Sequence, residues 1–205
     1  ELIPSGYVDI HSHVLPGIDD GAQKMEDTNF LLESMIDFGF SKVITTPHTM
    51  KNVWDNTTET IKNVHHLVQD ELPELSKKVA LNCASEYFLD ENLMQLVQRE
   101  NLLTLKDNFI LIEMSYLNAP IQLYDFLFEL QLKGYQLVLA HPERYNYFHS
   151  NKKEFAKLKK AGCLFQLNLL ATVGYYGKNV AETADYLLKE NLYDFVGSDI
   201  HHKNH

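Results

Sequence analysis

The stretch YVDIHSHVLPGIDDG, residues 7–21, contains two histidines one residue apart and two adjacent aspartates. Residues i and i+2 of an extended chain project to the same side, so His11 and His13 can offer two imidazoles to one cation. Asp19 or Asp20 can add a carboxylate from the following loop. Imidazole combined with carboxylate suits Zn²⁺, Mn²⁺ or Fe²⁺, whereas an all-oxygen set would favour Mg²⁺ or Ca²⁺. The stretch therefore predicts part of a metal site.

Other residues with metal-binding or phosphate-binding side chains follow most of the predicted strands. They are His48 in TTPH, Glu86, Glu113, His141, Glu143 and Arg144 in AHPER, and Asp199 and His201 in SDIH. Any one of them alone could be a turn residue, a helix cap or half of a salt bridge. Because they recur at one strand end after another, they favour a shared site. Nine candidate ligands are too many for one ion, which indicates two or three metals bridged by a carboxylate.

The elements that must position these residues alternate between strands and helices. Seven strands are predicted from apolar or alternating runs, at residues 7–10, 42–46, 79–85, 109–114, 136–140, 164–169 and 194–198. The segments between them have apolar residues at helical spacing, as in the segment that ends at Gly39 and in the segment from Ile61 to Leu72. For the second of these helices, NTTE predicts a cap by Asn56, with Glu59 reaching back.

This alternation requires right-handed crossovers and a parallel sheet, either open and doubly wound or closed into a barrel. In a parallel α/β barrel, the carboxyl ends of all strands lie on one rim, where active sites are built. An open sheet would hold its first and last strands too far apart to share ligands. The recurring ligands at strand ends therefore favour a closed or nearly closed barrel.

Composition and charge narrow the function further. The 205 residues are 45% hydrophobic, which predicts one soluble, intracellular domain. A net charge of −10 without a basic block argues against nucleic acid and anionic membranes as partners. Cys83 and Cys163 are predicted to be buried thiols, and His65, His66 and His149 surface residues. The sequence begins without Met and stops in SDIHHKNH, so we expect both ends to have been trimmed.

The motifs DIHSHVLPGIDDGA, TPH, SE, IE, LQLKGYQLVLAHPER and SDIH resemble the polymerase and histidinol phosphatase (PHP) superfamily. They are most similar to its bacterial capsule and exopolysaccharide branch, the manganese-dependent protein tyrosine phosphatases. The similarity covers nearly the whole chain. It implies an α/β fold, a distorted (β/α)7 TIM-like barrel. From the length and the ending of the sequence, we expect a single domain over residues 1–205 that is truncated at its C-terminus.

The resemblance also implies a trinuclear metal centre. One metal would be bound by His11, His13, Asp199 and a bridging Glu86, a second by Glu86, Glu113 and His141, and the third by Asp20, His48 and His201. Asp20 rather than Asp19 matches the family ligand, and Arg144 matches the arginine that binds the substrate phosphate. Some relatives have a further arginine after the D-x-H motif, where this chain has only Lys203.

The function implied is hydrolysis of phosphotyrosine by a metal-activated hydroxide, with Mn²⁺, Fe²⁺ or Zn²⁺ as cofactor. The expected partner is the tyrosine-rich tail of a polysaccharide-export kinase, and the expected location is the cytoplasm. Two alternatives remain: a small-molecule phosphoesterase similar to histidinol phosphatase, and a noncatalytic metal-dependent module that binds a tyrosine-rich tail. A thiolate mechanism is disfavoured, because neither cysteine is followed by an arginine six residues later.

Overall fold

The computed structural model of the protein describes residue 4 and residues 6–205. Residues 1–3 and 5 of the predicted 1–205 domain therefore lie outside the described residues. The chain forms two compact units: the first contains the residues up to Ser85 together with Ser198–His205, and the second is Glu86–Gly197. Within each unit the paired strands are parallel. The predicted α/β class is confirmed, and the extent of a single domain stays a prediction.

The first unit has short strands, and its sheet has the order β1-β2-β4. Its elements are β1 (Val8–Asp9), α1 (Met25–Phe38), β2 (Lys42–Thr45), β3 (His48–Thr49), α2 (Thr58–Glu71), α3 (Pro73–Lys78) and β4 (Ala80–Cys83). Val43 in β2 pairs with Leu81 in β4, and both side chains are buried. As predicted, α1 ends at Gly39, whose φ of 110° lies in the left-handed region that favours glycine.

The predicted cap of α2 was wrong by one residue. The helix begins after Thr57, whose side chain accepts a hydrogen bond from the Thr60 N–H, while the Thr60 hydroxyl accepts one from the Thr57 N–H. Asn56 serves another purpose, because its side-chain amide donates hydrogen bonds to the carbonyls of Ile18 and His48, each at 2.8 Å. Asn56, a residue type that often caps helices, thus stabilises the segment that follows β2 and does not cap α2.

The histidines predicted to lie on the surface have three different environments. His65 is buried with 8% of its surface exposed, because it lies on the face of α2 that packs inward, and its Nε2 lies 2.9 Å from the carbonyl oxygen of Leu81. The prediction for His65 was therefore wrong. His66 is exposed as predicted, and His149 is half-buried, with its Nε2 2.7 Å from the carbonyl oxygen of Glu143.

The second unit contains five parallel strands in the order β5-β6-β7-β8-β9. Its elements are β5 (Glu86–Phe88), α4 (Glu91–Leu96), β6 (Phe109–Glu113), α5 (Leu123–Leu132), β7 (Gln136–Ala140), two 3-10 turns (Pro142–Arg144 and Asn146–Phe148), α6 (Lys153–Lys160), β8 (Leu164–Asn168), a 3-10 turn (Leu169–Val173), α7 (Lys178–Lys189) and β9 (Phe195–Gly197). Its core includes the fully buried side chains of Ile110, Leu137 and Phe165.

All seven predicted strands are observed, with bounds within two residues of those expected. The two further strands, β3 and β5, are only two and three residues long and carry candidate ligands, His48 and Glu86. Of the cysteines, Cys163 is buried as predicted, whereas Cys83 is only half-buried. No helix in the described part of the chain combines the length and apolar character needed to cross a membrane.

Candidate functional site

The paired histidines extend directly from β1. Ser12 forms a parallel bridge with Ile200, and the His13 N–H donates to the Ile200 carbonyl at 2.9 Å. This extended backbone directs alternate side chains to one side. The His11 and His13 imidazoles are fully buried, and their Nε2 atoms lie 3.2 Å apart. Two potential metal-binding nitrogens therefore face a common position in the first unit.

Asp19 orients one of these imidazoles. Its Oδ2 lies 2.8 Å from His13 Nδ1, and its Oδ1 accepts a hydrogen bond from the Gly21 N–H at 2.9 Å. Burial opposes ionisation of this carboxyl, but the charge and hydrogen bond of His13 hold the pKa of Asp19 below its ordinary value. A carboxylate bonded to Nδ1 leaves Nε2 as the metal-binding atom.

Asp20 lies within a separate group of potential ligands. The group comprises His13, Asp20, His48 and His201, whose ligand atoms all lie within 4.8 Å of one another. Asp20 Oδ1 is 3.4 Å from Nε2 of both His48 and His201. Burial raises the pKa of Asp20, but hydrogen bonds from the two imidazoles outweigh it and keep the carboxyl ionised. The adjacent aspartates thus differ in position: one contacts Nδ1, and the other joins the Nε2 atoms.

Asp199 lies where the last segment of the first unit meets the loop after β1. Its φ of 52° is in the left-handed region, which few non-glycine residues adopt and aspartate adopts more often than most. Its N–H donates to the His11 carbonyl at 2.7 Å, and its Oδ1 is 3.2 Å from His11 Nε2. Asp9 holds the preceding residue through hydrogen bonds from the Ser198 N–H and hydroxyl. Burial raises the pKa of Asp9 to about 6.

The second unit brings three predicted ligands together. Glu86 Oε1 lies 3.2 Å from His141 Nε2, and carboxylate oxygens of Glu86 and Glu113 lie within 4.8 Å of each other. All three side chains are buried. Glu113 is the last residue of β6, and His141 directly follows β7 with a φ of 34°. A buried carboxylate pair beside an imidazole is a donor set suited to a divalent cation.

Arg144 ends the 3-10 turn that follows His141. The central carbon of its guanidinium lies 4.6 Å from the ring centre of Tyr116 and 4.2 Å from that of Tyr176. Neither tyrosine is predicted from the sequence, because an aromatic residue beyond a strand has no spacing that distinguishes a functional ring from a packed one.

Glu143, which the sequence analysis grouped with the ligands, has a supporting position within the second unit. Its carboxylate accepts hydrogen bonds from the Asn168 N–H at 2.9 Å and the Tyr193 hydroxyl at 2.8 Å. Complete burial raises the pKa of Glu143 to about 7. These bonds tie the turn that carries Arg144 to the end of β8. Asp9 is also an acidic residue beside the ligand motif and could have been noticed for that reason. The sequence, however, does not tell whether such a carboxylate binds metal or only supports neighbouring residues.

The family described as capsular polysaccharide synthesis, CpsB/CapC, matches residues 7–205. The chain is similar to the tyrosine-protein phosphatase YwqE of Bacillus subtilis (strain 168), with 29% identity over 195 residues that cover 95% of this chain and 77% of that protein. It is also similar to the tyrosine-protein phosphatase CpsB of Streptococcus pneumoniae, with 26% identity over 200 residues that cover 95% of this chain and 82% of that protein.

The fold is also similar to those of solved structures. One comes from a study of YwqE from Bacillus subtilis and CpsB from Streptococcus pneumoniae, described as unique metal-dependent tyrosine phosphatases. It has a TM-score of 0.89 and 29% identity, and the match covers 96% of this chain and 80% of that chain. An amidohydrolase from Mycoplasma synoviae has a TM-score of 0.58 at 14% identity, covers 95% and 72% of the two chains, and is similar in fold alone.

Proposed function

The chain belongs to the capsular polysaccharide synthesis family CpsB/CapC, and on that premise we propose that it is a metal-dependent protein tyrosine phosphatase. The observation that carries the proposal is the group His13, Asp20, His48 and His201, whose ligand atoms converge within 4.8 Å. Three imidazoles and one carboxylate in such a small volume are suited to binding a divalent metal ion.

The donor atoms support a first-row divalent cation as cofactor. Imidazole nitrogens and carboxylate oxygens suit Mn²⁺, Fe²⁺ and Zn²⁺, and we propose Mn²⁺ from the resemblance to the manganese-dependent branch. The division of nine ligands among three ions stays a prediction. When bound, divalent cations supply a hydroxide nucleophile and offset the negative charge that develops on the phosphoryl oxygens. Asp19 keeps His13 in the orientation that this binding requires.

Arg144 is proposed to bind the phosphate of the substrate. A guanidinium donates parallel hydrogen bonds to two phosphate oxygens, and phosphoryl transfer depends mostly on positioning and charge stabilisation. The proposed substrate is phosphotyrosine in the tail of a polysaccharide-export kinase. The family description supports the link to capsular polysaccharide synthesis, and the kinase tail stays a prediction. Cytoplasmic location stays a prediction.

The cysteines support a mechanism without a thiolate nucleophile. Burial raises the pKa of Cys163 to about 12 and also raises that of Cys83. A reactive cysteine needs the opposite environment, one that lowers the thiol pKa and exposes the sulfur. Leu89 and Leu169 occupy the positions six residues after the two cysteines, where a thiolate phosphatase needs arginine.

The test is to measure turnover by Mn²⁺-loaded protein on a phosphotyrosine peptide, the matched phosphoserine peptide and histidinol phosphate. We expect turnover mainly on the phosphotyrosine peptide, its loss after exhaustive chelation, its return with added Mn²⁺ and no effect of thiol alkylation. Activity that survives chelation would contradict the metal-dependent mechanism. Preference for histidinol phosphate would favour the small-molecule phosphoesterase, and fully loaded protein without turnover would favour the binding module.

A further inference from the structure

In the second unit, the guanidinium of Arg144 lies close to two aromatic rings. Tyr116 follows β6 and Tyr176 precedes α7, so the two rings come from loops 60 residues apart in sequence. The guanidinium carbon lies within 4.6 Å of both ring centres. Both separations are within the range at which a cation is attracted to an aromatic face. We call Tyr116 and Tyr176 the tyrosine clamp.

Each ring of the tyrosine clamp is itself fixed. Tyr116 stacks on the fully buried Tyr145, with ring centres 6.0 Å apart and an interplanar angle of 29°. Tyr176 accepts a hydrogen bond from the side-chain amide of the buried Asn168 at 3.1 Å. Tyr176 also packs against a small apolar cluster that includes Val180. Because both rings are fixed by neighbours, the space left for the guanidinium is defined before any ligand binds.

A guanidinium in such a space has a restricted orientation. It is planar, and all five of its N–H donors lie in its plane. Two rings within 4.6 Å of its central carbon restrict the space in which that plane can rotate and exclude water from the sides that they cover. The side chain then loses less conformational freedom when it binds an anion, which increases affinity without a new contact.

We propose that Tyr116 and Tyr176 are positioning residues that orient Arg144 for the substrate phosphate. The inference rests on the proposed role of Arg144 in phosphate binding, and it extends that role to two residues for which the sequence showed no signal. The clamp acts through Arg144 and touches no reacting atom. Its energetic contribution is therefore expected to appear in phosphate affinity and to disappear when Arg144 is removed.

The experiment uses the Mn²⁺-loaded protein and inorganic phosphate as the probe. Tyr176 is the cleaner position, because the hydroxyl of Tyr116 also lies 3.4 Å from His141 Nε2. We expect Tyr176→Leu to weaken phosphate binding about tenfold, as measured by calorimetry, and Tyr176→Phe to retain most of the affinity because it keeps the ring face. On a phosphotyrosine peptide, the same variants should raise KM by similar factors with little change in kcat.

A matched control removes another cation–ring pair of the second unit. Lys152 Nζ lies 4.2 Å from the ring centre of Tyr186 on α7. Tyr186→Leu should leave phosphate affinity unchanged, since this pair does not involve Arg144. Tyr116→Leu provides a second probe of the clamp should Tyr176→Leu fail to fold, with thermal unfolding and metal content measured for every variant.

The decisive comparison is Tyr176→Leu in an Arg144→Ala background, where we expect no further loss of phosphate affinity. An equal loss with and without Arg144 would overturn the inference, since the ring would then act independently of the guanidinium. Unchanged affinity in both tyrosine-to-leucine variants, or a wild-type protein that does not bind phosphate, would also overturn it. If the wild type binds phosphate but hydrolyses no phosphotyrosine, the proposed function fails while the clamp still stands.

Discussion

The two units hold their candidate ligands by different means. In the first unit, the ligands lie on or beyond strands of two to four residues. The carboxylates of Asp19 and Asp9 hydrogen-bond to His13 and to Ser198, the residue before Asp199. In the second unit, Glu113 and His141 lie at the ends of buried five-residue strands, and aromatic rings hold the loop beyond. The ligand geometry of the first unit therefore depends on a few polar contacts, whereas that of the second depends on packing.

The largest effect is expected where the first unit has no room for a side chain. A Cβ added to Gly21 would lie 2.1 Å from the carbonyl oxygen of His13, so Gly21→Ala must displace the backbone that carries this imidazole. Because a misplacement of about 1 Å can reduce turnover about 100-fold, we expect a loss of that size. In the second unit, a Cβ at Gly134 meets nothing within 4 Å. Gly134→Ala should lower stability through its positive φ but keep most of the turnover per folded, metal-loaded molecule.

A smaller effect is expected from the carboxylate that orients His13. Asp19→Asn keeps the shape but loses the charge beside Nδ1, and such changes typically reduce metal affinity about 10- to 100-fold. The measurement is a titration of Mn²⁺ into metal-free protein. Asp27→Asn is the matched control, because Asp27 accepts a hydrogen bond from the Gln23 N–H on the same stretch and contacts no imidazole. Equal metal affinity in the two variants would contradict the role of Asp19.

The corresponding substitution in the second unit should affect stability instead. The Tyr145 hydroxyl accepts a hydrogen bond from the Met114 N–H at 3.0 Å and donates one to the Ala140 carbonyl at 3.1 Å. Tyr145→Phe leaves both buried groups without this partner, which should lower the free energy of unfolding by about 1–3 kcal/mol. Urea unfolding measures the change, and Tyr124→Phe provides an exposed control. Loss of Mn²⁺ affinity without loss of stability in Tyr145→Phe would contradict the proposed difference between the units.

The smallest predicted effect is a pH dependence of the first unit. Burial lowers the pKa of His65 below its ordinary value of 6.5. The unfolded chain then binds this proton more readily than the folded protein, so stability should fall as the pH drops below about 6.5. His65→Gln should make that acid-side decline shallower in urea unfolding at several pH values. His66→Gln removes only the neighbouring charge that adds to the burial effect on the pKa of His65, so it should flatten the decline less than His65→Gln does. An equal response of both variants would refute the assignment.

The sequence allowed the fold to be predicted because its signals are local. Each predicted strand is a short apolar run, and the period of that run is visible without knowledge of its neighbours. The candidate ligands were found for a similar reason: polar residues of metal-binding type directly follow apolar runs. His11, His13, Glu113 and His141 all occupy such positions in the structure.

The supporting residues could not be predicted because their roles depend on tertiary contacts. Asp19 and Asp20 are the same residue type at adjacent positions, and only the side chains around them separate support from ligation. Tyr176 looks like an ordinary aromatic residue until Arg144 is seen beside its ring. His65 has the helical spacing of the buried residues of α2. The sequence does not tell which polar residue on that face hydrogen-bonds to a carbonyl.

The hydrogen bonds from Ser198 to Asp9 join residues 189 positions apart. During synthesis on the ribosome, the whole continuous second unit emerges between these two segments and can fold before the first unit is complete. Asp199 and His201 therefore leave the exit tunnel after the whole second unit. Nascent chains that stop short of residue 199 would carry the paired imidazoles of His11 and His13 without the carboxylate of Asp199.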